Sequence, residues 1–378
     1  MNWTRLATAA LFVAAVPALA QNVPVRILRP APEQTVRGNV PVVINTNAIP
    51  DAGYMMVEVN DEFLSAIAPE TDSATTQFLW DTREDFPETD APPRDGQYTV
   101  RVKTYNGQFQ FQRSNELNVY LRNHIPVPPT RTFRLQYKFR PDQEIRRVET
   151  VRARSAGVEI YSASVPVTLA INDVTGGVAE AREQIERDAA ERIAGTRQPL
   201  NVAGRSFIVR LLPTGRVEPG RRMQRAGLSP IASMLTFPTT PLRVGDSWSS
   251  EITIHPYYNG VHAATISANN TLVGFEYFNG RPSARIESTY DGAATVGTGV
   301  QGGATPGGMP SATPTSSVTF RGSRTTYFDH VNGRLLRAED ELTANFGAGG
   351  ATGGPGAYGP GAGGTTPAVN LNIVTVAR

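Results

Sequence analysis

Four Asn-Gly pairs divide this chain into runs of alternating apolar and polar residues. Asn259-Gly260, Asn279-Gly280 and Asn332-Gly333 lie in the C-terminal part, and Asn106-Gly107 lies nearer the N-terminus. A two-residue connection between antiparallel strands needs positive φ at both central residues, so that turn twist matches strand twist. Asn-Gly meets that demand best. The chain is thereby directed toward antiparallel hairpins. The pairs predict that residues 248–258 lie beside 261–275, that the chain turns again into 284–290, and that 318–328 lie beside 335–346. In the last strand Leu336, Ala338, Leu342, Ala344 and Phe346 share a face with Asp340, and Val369, Leu371 and Ile373 open a final strand. The same alternation begins earlier. Phe133, Leu135, Tyr137 and Phe139 point one way while Arg134, Gln136, Lys138 and Arg140 point the other, which predicts a half-buried strand.

Residues 178–194 break this period. Val178, Ala181, Ile185, Ala189 and Ile193 recur at helical spacing, and Glu183–Arg187 and Asp188–Arg192 are acid-first pairs four residues apart. With Gly195 as a stop, the segment predicts an α-helix lying against the sheet. Two further segments, 292–317 and 347–367, are rich in Gly, Thr, Pro and Ala and carry no charge, and they predict long loops.

The N-terminal part has another rhythm. Residues 23–122 form short strand-like runs with turn residues between them, among them Val40 to Asn45, Met55 to Val59 and Gln97 to Tyr105. That pattern predicts a β-sandwich. Pro126, Pro128 and Pro129 then predict a stiff linker over 123–132. The expected architecture is mainly β: a sandwich over 21–122, the linker, and a curved antiparallel sheet, or half-barrel, over 133–378 with one helix.

Composition limits the function. Of 378 residues 40% are hydrophobic, enough for packed cores. The net charge is +2 with no dense Lys/Arg run, which argues against a nucleic-acid partner. With no cysteine, disulfides, thiol nucleophiles and zinc–thiolate sites are excluded. Arg5, the apolar run from Ala7 to Val16, and Ala18-Leu19-Ala20 before Gln21 read as a secretory leader cut after Ala20. Gln21 stands where a lipoprotein would carry cysteine. The expectation is an extracytoplasmic protein, periplasmic or secreted and not lipid-anchored. Beyond the leader no apolar run reaches the ~20 residues of a membrane helix.

No motif for catalysis, cofactor or metal emerges. Gly297-Thr-Gly299-Val-Gln-Gly302 matches a dinucleotide fingerprint as a string, but no helix N-terminus follows to hold pyrophosphate. The histidines His124, His255, His262 and His330 would need convergent acid partners, and the candidates Asp291 and Asp329 both read as turn residues. The acidic stretch Asp81, Glu84, Asp85, Glu88 and Asp90 lacks an EF-hand pattern and reads as a solvated loop. Asp340, on an apolar strand face, reads as a rim or bulge residue, since a buried carboxylate would need a partner.

Two resemblances add to this. Ile27-Leu-Arg-Pro30, Gly38-Asn-Val-Pro-Val42, Trp80-Asp-Thr82 and Asp95-Gly-Gln-Tyr-Thr-Val100 resemble bacterial immunoglobulin-like domains, with Tyr98 where such domains often place a corner tyrosine. Tyr137-Lys-Phe-Arg-Pro-Asp142, Pro241-Leu-Arg-Val-Gly-Asp-Ser-Trp248 and Tyr327-Phe-Asp-His-Val-Asn-Gly-Arg-Leu-Leu336 resemble a family of exported bacterial proteins without established function. That family is similar in layout to lipoprotein-carrier-like half-barrels. The joint expectation is a non-catalytic envelope protein with no cofactor. Its immunoglobulin-like module would serve as spacer or contact surface for an envelope protein or polysaccharide. Its half-barrel would hold a lipid or other apolar ligand on Phe133, Leu135, Tyr137 and Phe139, facing Ile185 from the helix. The alternative is a structural or adhesive surface protein whose concave face is filled by its own side chains. A hydrolase stands third, because no nucleophile–base pair is readable.

Overall fold

A computed structural model describes residues 24–49, 52–69, 73–83, 93–193, 195–200, 203–219, 234–254, 264–297, 315–346 and 368–377. The leader, the acidic residues 84–90, the Asn259-Gly260 turn with His255 and His262, and most of both Gly-rich segments lie outside the described residues. The chain divides into two compact units, Met1–Arg122 and Asn123–Arg378.

The first unit contains β1 (Ile27–Arg29), β2 (Gln34–Val36), β3 (Asn39–Asn45), β4 (Tyr54–Val59), β5 (Glu62–Ile67), β6 (Thr75–Asp81), β7 (Gly96–Tyr105) and β8 (Phe111–Leu121). They form two sheets, β1-β3-β6 and β2-β8-β7-β4-β5. Alternation puts Val40, Val42, Ile44 and Trp80 of one sheet in a common core with Met55, Val57, Val100, Val102 and Val119 of the other. This is a β-sandwich. The Tyr98 hydroxyl donates to the Arg94 carbonyl at 2.8 Å, tying the start of β7 to the turn before it.

The second unit contains β9 (Glu144–Ser155), β10 (Val158–Thr175), β11 (Val178–Ile185), β12 (Ala190–Ile193), β13 (Thr196–Pro199), β14 (Ser206–Leu211), β15 (Val217–Pro219), β16 (Ser247–Ile254), β17 (Ala264–Phe278), β18 (Arg281–Gly297), β19 (Thr315–Asp329), β20 (Arg334–Phe346) and β21 (Val369–Ala377). All thirteen join one curved antiparallel sheet of order β15-β14-β11-β10-β9-β21-β20-β19-β18-β17-β16, with the β12–β13 hairpin added to β10. The path does not close into a barrel. The last strand of the chain lies in the middle, between β20 and β9. Registers in the meander follow the sequence pattern: Phe278 faces Arg281, Val318 faces Phe346, and Phe328 faces Leu335.

Several expectations are corrected. Among the described residues of 178–194 there is no helix; β11 and β12 stand there instead. Ala179, Ala181, Glu183 and Ile185 point inward, a period of two disguised by a buried glutamate. Glu183 bonds Arg147 on β9, not Arg187 one helical turn on. The chain turns between β11 and β12, where the Glu186 amide donates to the Pro166 carbonyl at 2.9 Å. Tertiary pairing here overrides local propensity.

The Gly-rich segment is also shorter than expected, because residues 292–297 and 315–317 are still paired as β18 and β19. Residues 123–127, the first part of the expected stiff linker, are tied to the second unit. The Ile125 amide donates to the Phe275 carbonyl, the Tyr277 amide to the Asn123 carbonyl, and Ile125 and Val127 pack on the second core. Residues 133–139 keep the expected alternation but join no ladder, apart from one bridge between Phe133 and Leu242. Of the described Asn-Gly pairs only Asn279-Gly280 forms the expected two-residue turn, with φ of 48° and 73°.

Candidate functional site

The expected ligand face begins at residue 133, and its backbone shows how that face is held. The Tyr137 amide donates to the Pro213 carbonyl at 2.7 Å, and the Lys138 amide to the Gly333 carbonyl at 3.0 Å. The extended segment is therefore threaded between the turn after β14 and the turn after β19. Gly333 lets it pass: a Cβ there would lie 2.5 Å from the Lys138 nitrogen and 2.7 Å from the Gln136 carbonyl oxygen. The Lys138 ammonium also donates to the Val331 carbonyl at 2.7 Å.

The threaded segment carries its side chains into the core. Leu135 and Tyr137 are buried, and Ile185 is buried on β11 in the same core. Tyr137 meets Phe328 edge-on at 5.0 Å, Phe237 at 5.6 Å and Phe139 face-to-face at 6.0 Å. Burial pushes the Tyr137 phenol well above its ordinary range, so it stays neutral. Phe133 sits apart, half-buried between Phe275, His330 and the Arg131 guanidinium. The five residues thus share one core but do not line one open face.

Among the described residues a small slot stays open. It is lined by Tyr137, Phe139, Ile145, Leu169, Met234 and Leu335, and also by Arg147 and Arg334. The space open to the centre of a water molecule is about 30 Å³, room for a water or two. Ile185 takes no part in it. A second, more open concavity of about 540 Å³ crosses β16 to β19, with a mixed lining of Ser249, Asn269, Asp291 and Arg321 beside Ala268 and Tyr290.

Inside the second unit lies a buried polar cluster. Arg324 on β19 grips Asp340 on β20 through a fork, with Nε to Oδ1 at 2.7 Å and a terminal nitrogen to Oδ2 at 2.9 Å. The Tyr290 hydroxyl on β18 donates to the same Oδ1 at 2.7 Å. Both charged side chains are 1% exposed. Burial alone would lower the Arg324 pKa, but Asp340, Tyr290 and Glu149 around it raise it above normal, so the guanidinium is permanently charged. Burial, with the adjacent Asp340, raises the Tyr290 phenol. Asp340 is therefore a paired core residue and not a rim or bulge residue. Arg147 and Glu183 form a second buried pair at 3.1 Å.

Of this cluster the sequence marked only Asp340. The missed signal was charge on inward positions. Arg147 and Glu149 share a face with Val151 and Ala153, and Arg324 shares one with Phe320 and Phe328. Chemically the cluster is a guanidinium forked onto a carboxylate that a phenol hydroxyl also bonds. Of the two described histidines, His330 packs on Phe133 and Phe275, and the backbone of His124 forms a β-bridge with Glu276 on β17. Among the described residues no three His, Asp or Glu side chains converge as metal ligands, and no helix is long and apolar enough to cross a membrane.

No family model and no curated protein matches the chain. Among solved structures, the 1.75 Å crystal structure of a DUF1329 family protein from Desulfovibrio piger ATCC 29098 aligns with 63% of this chain and 84% of that one. Identity is 11% and the TM-score 0.17. A likeness at that level fixes neither family nor function.

Proposed function

We propose that this is an exported, non-catalytic cell-envelope protein of structural or adhesive type. In this reading the second unit is a self-filled scaffold, and the immunoglobulin-like first unit is a spacer or contact surface. One observation carries the reading: the apolar side of the curved sheet is occupied by the chain itself. Leu135, Tyr137, Leu235, Phe237 and Leu242 fill it and are buried there. A binding cavity for a drug-sized apolar molecule is usually hundreds of Å³, and the slot beside Tyr137 offers far less.

A second reading, a carrier of one apolar tail, is favoured by the same slot, because its lining is mostly apolar and includes Arg334, which could meet an anionic headgroup. Native mass spectrometry of protein taken from the envelope separates the two. The scaffold reading expects the mass of the polypeptide alone. A stoichiometric lipid that Leu169→Trp expels would establish the carrier instead.

A further inference from the structure

The outer face of the five-stranded sheet carries a feature that the sandwich core does not need. Tyr54 on β4 lies opposite Tyr105 on β7, and Tyr105 lies opposite Phe111 on β8. The three rings therefore form one row across three adjacent strands. Val100, Val102 and Thr104 take the alternate positions of β7 and face the core, so the row faces away from it. Tyr54 and Tyr105 stack at 5.0 Å and 6°, and Phe111 meets Tyr105 edge-on at 6.0 Å. A fourth ring, Phe109, adjoins Tyr54 at 6.0 Å. Phe109 is 78% exposed and Phe111 56%.

Exposed aromatics clustered in this way call for an explanation, since soluble surfaces rarely display them together. The loop that presents them is built to hold them. Asn106 Oδ1 accepts from the amides of Gln108 and Gln110 at 3.0 and 2.9 Å, and Asn106 Nδ2 donates to the Gln110 side chain at 3.0 Å. Gly107 closes against Ala52, where an added Cβ would lie 3.1 Å from the carbonyl oxygen. Phe109 is held at φ of 63°, a conformation that bulky side chains rarely adopt. A glycine would occupy that position without strain, yet the chain keeps a phenylalanine there with its ring in water.

The electrostatics select the partner. No charged residue occurs between Lys103 and Arg113, and Asn106, Gln108, Gln110 and Gln112 supply amides beside the rings. In the next row along the face, the Lys103 ammonium is neutralised by Glu58 at 2.6 Å. Such a surface gives no cationic hold on phosphate headgroups or nucleic acid. Tyr54 and Tyr105 stack on each other, so the surface offers chiefly the exposed rings of Phe109 and Phe111 with neutral hydrogen-bonding groups beside them. The π-face carries negative charge density and attracts the C–H faces of pyranose rings, while amides pair with their hydroxyls. The row spans two inter-strand spacings, about 10 Å, a length suited to a short run of sugar units. We propose that the row Tyr54–Tyr105–Phe111, flanked by Phe109, is a binding platform for a neutral polysaccharide chain. The proposal holds whether or not the second unit takes a lipid.

The test is calorimetric titration of the full chain with cellohexaose, maltohexaose and chitohexaose. At least one should bind, and Phe109→Ala/Phe111→Ala should weaken it at least tenfold, at roughly three- to tenfold per ring. Leu79→Ala, on the exposed face of the other sheet, should leave binding unchanged. Phe109→Leu/Phe111→Leu keeps apolar area but removes the π-faces, and it should lose binding with an unchanged melting temperature. Phe109→Gly should melt no lower than the parent yet bind more weakly. Three results would overturn the proposal: no binding of any hexaose at millimolar concentration, undiminished binding by the double variants, or flotation with 3:1 phosphatidylethanolamine–phosphatidylglycerol vesicles that depends on both phenylalanines.

Discussion

Replacing Asp340 by asparagine tests the buried cluster most directly. The substitution keeps size and shape but removes the charge that the Arg324 fork encloses. Both partners are 1% exposed, so no solvent stands ready to take over. Breaking a buried pair by neutralising one member costs about 3–5 kcal/mol, because the other charge remains buried. Glu149 also acts on Arg324 and keeps part of the compensation, which places the expectation near the lower end, about 3 kcal/mol. The two units need not unfold together, so a single global transition would mix them. Hydrogen exchange read on a peptide from β19 isolates the second unit. Opening should become easier by a factor on the order of 10². Tyr290→Phe, which removes one hydrogen bond to a charged acceptor, should cost about 1.5–3 kcal/mol. Replacing both ions, as Arg324→Met with Asp340→Leu, should cost clearly less than the two single losses added together. The reasoning fails if Asp340→Asn costs under about 1 kcal/mol, or if the double variant is simply additive.

Three further outcomes are expected. Gly333→Ala should destabilise the second unit by several times more than Gly280→Ala in thermal melts. Both glycines have positive φ, but only a Cβ at 333 strikes the threaded segment, whereas at 280 nothing lies within 4 Å; equal losses would contradict the threading. His330 has a pKa lowered by burial, with Arg131 and Lys138 adding to that and Asp329 opposing it. The unfolded chain then binds the proton more readily, so stability should fall as pH drops below about 6.5, and a melting curve against pH should lose that decline in His330→Gln. Replacing residues 298–314 by a two-residue turn should leave the melting temperature unchanged or slightly higher, since β18 and β19 stay paired to Gly297 and Thr315 and loop closure changes by only about 0.6 kcal/mol per doubling of length.

Most of the sheet was legible because its strands obey a period of two and its hairpins follow one another in sequence. The pairings of β16 with β17, β17 with β18 and β19 with β20 were readable from alternation together with the Asn-Gly pairs between the strands. Where charged side chains face inward, that signal fails. Glu183 on β11 interrupted an apolar stripe, and the remaining residues then matched a helix. The partner that makes the strand stable, Arg147, lies on another strand and leaves no local trace. Asp340 was misplaced for the same reason, since its two partners sit on β18 and β19. At 133–139 the sequence showed correctly which side chains are apolar. It could not show that the turn at Gly333 and the turn after β14 clamp the segment, which makes the expected ligand face part of the core. The aromatic row on the first unit is equally invisible in a linear reading, because register alone brings Tyr54, Tyr105 and Phe111 side by side.

The place of β21 bears on how the second unit comes into being. Strands β9 to β15 and strands β16 to β20 are each built from near neighbours in sequence, and each can zip up as soon as its own residues are present. Among the described residues the ladder joins the two halves through β21 alone, which sets Val369 against Ser155 on one side and against Ala344 on the other. That seam demands the longest loop closure in the unit, and such contacts form late and slowly. Until it forms, β9 and β20 both present bare edges, the kind of surface on which strands of other molecules add. A chain emerging N-terminus first therefore cannot complete this sheet until residues 369–377 are delivered. The vulnerable interval in its life is the wait for β21.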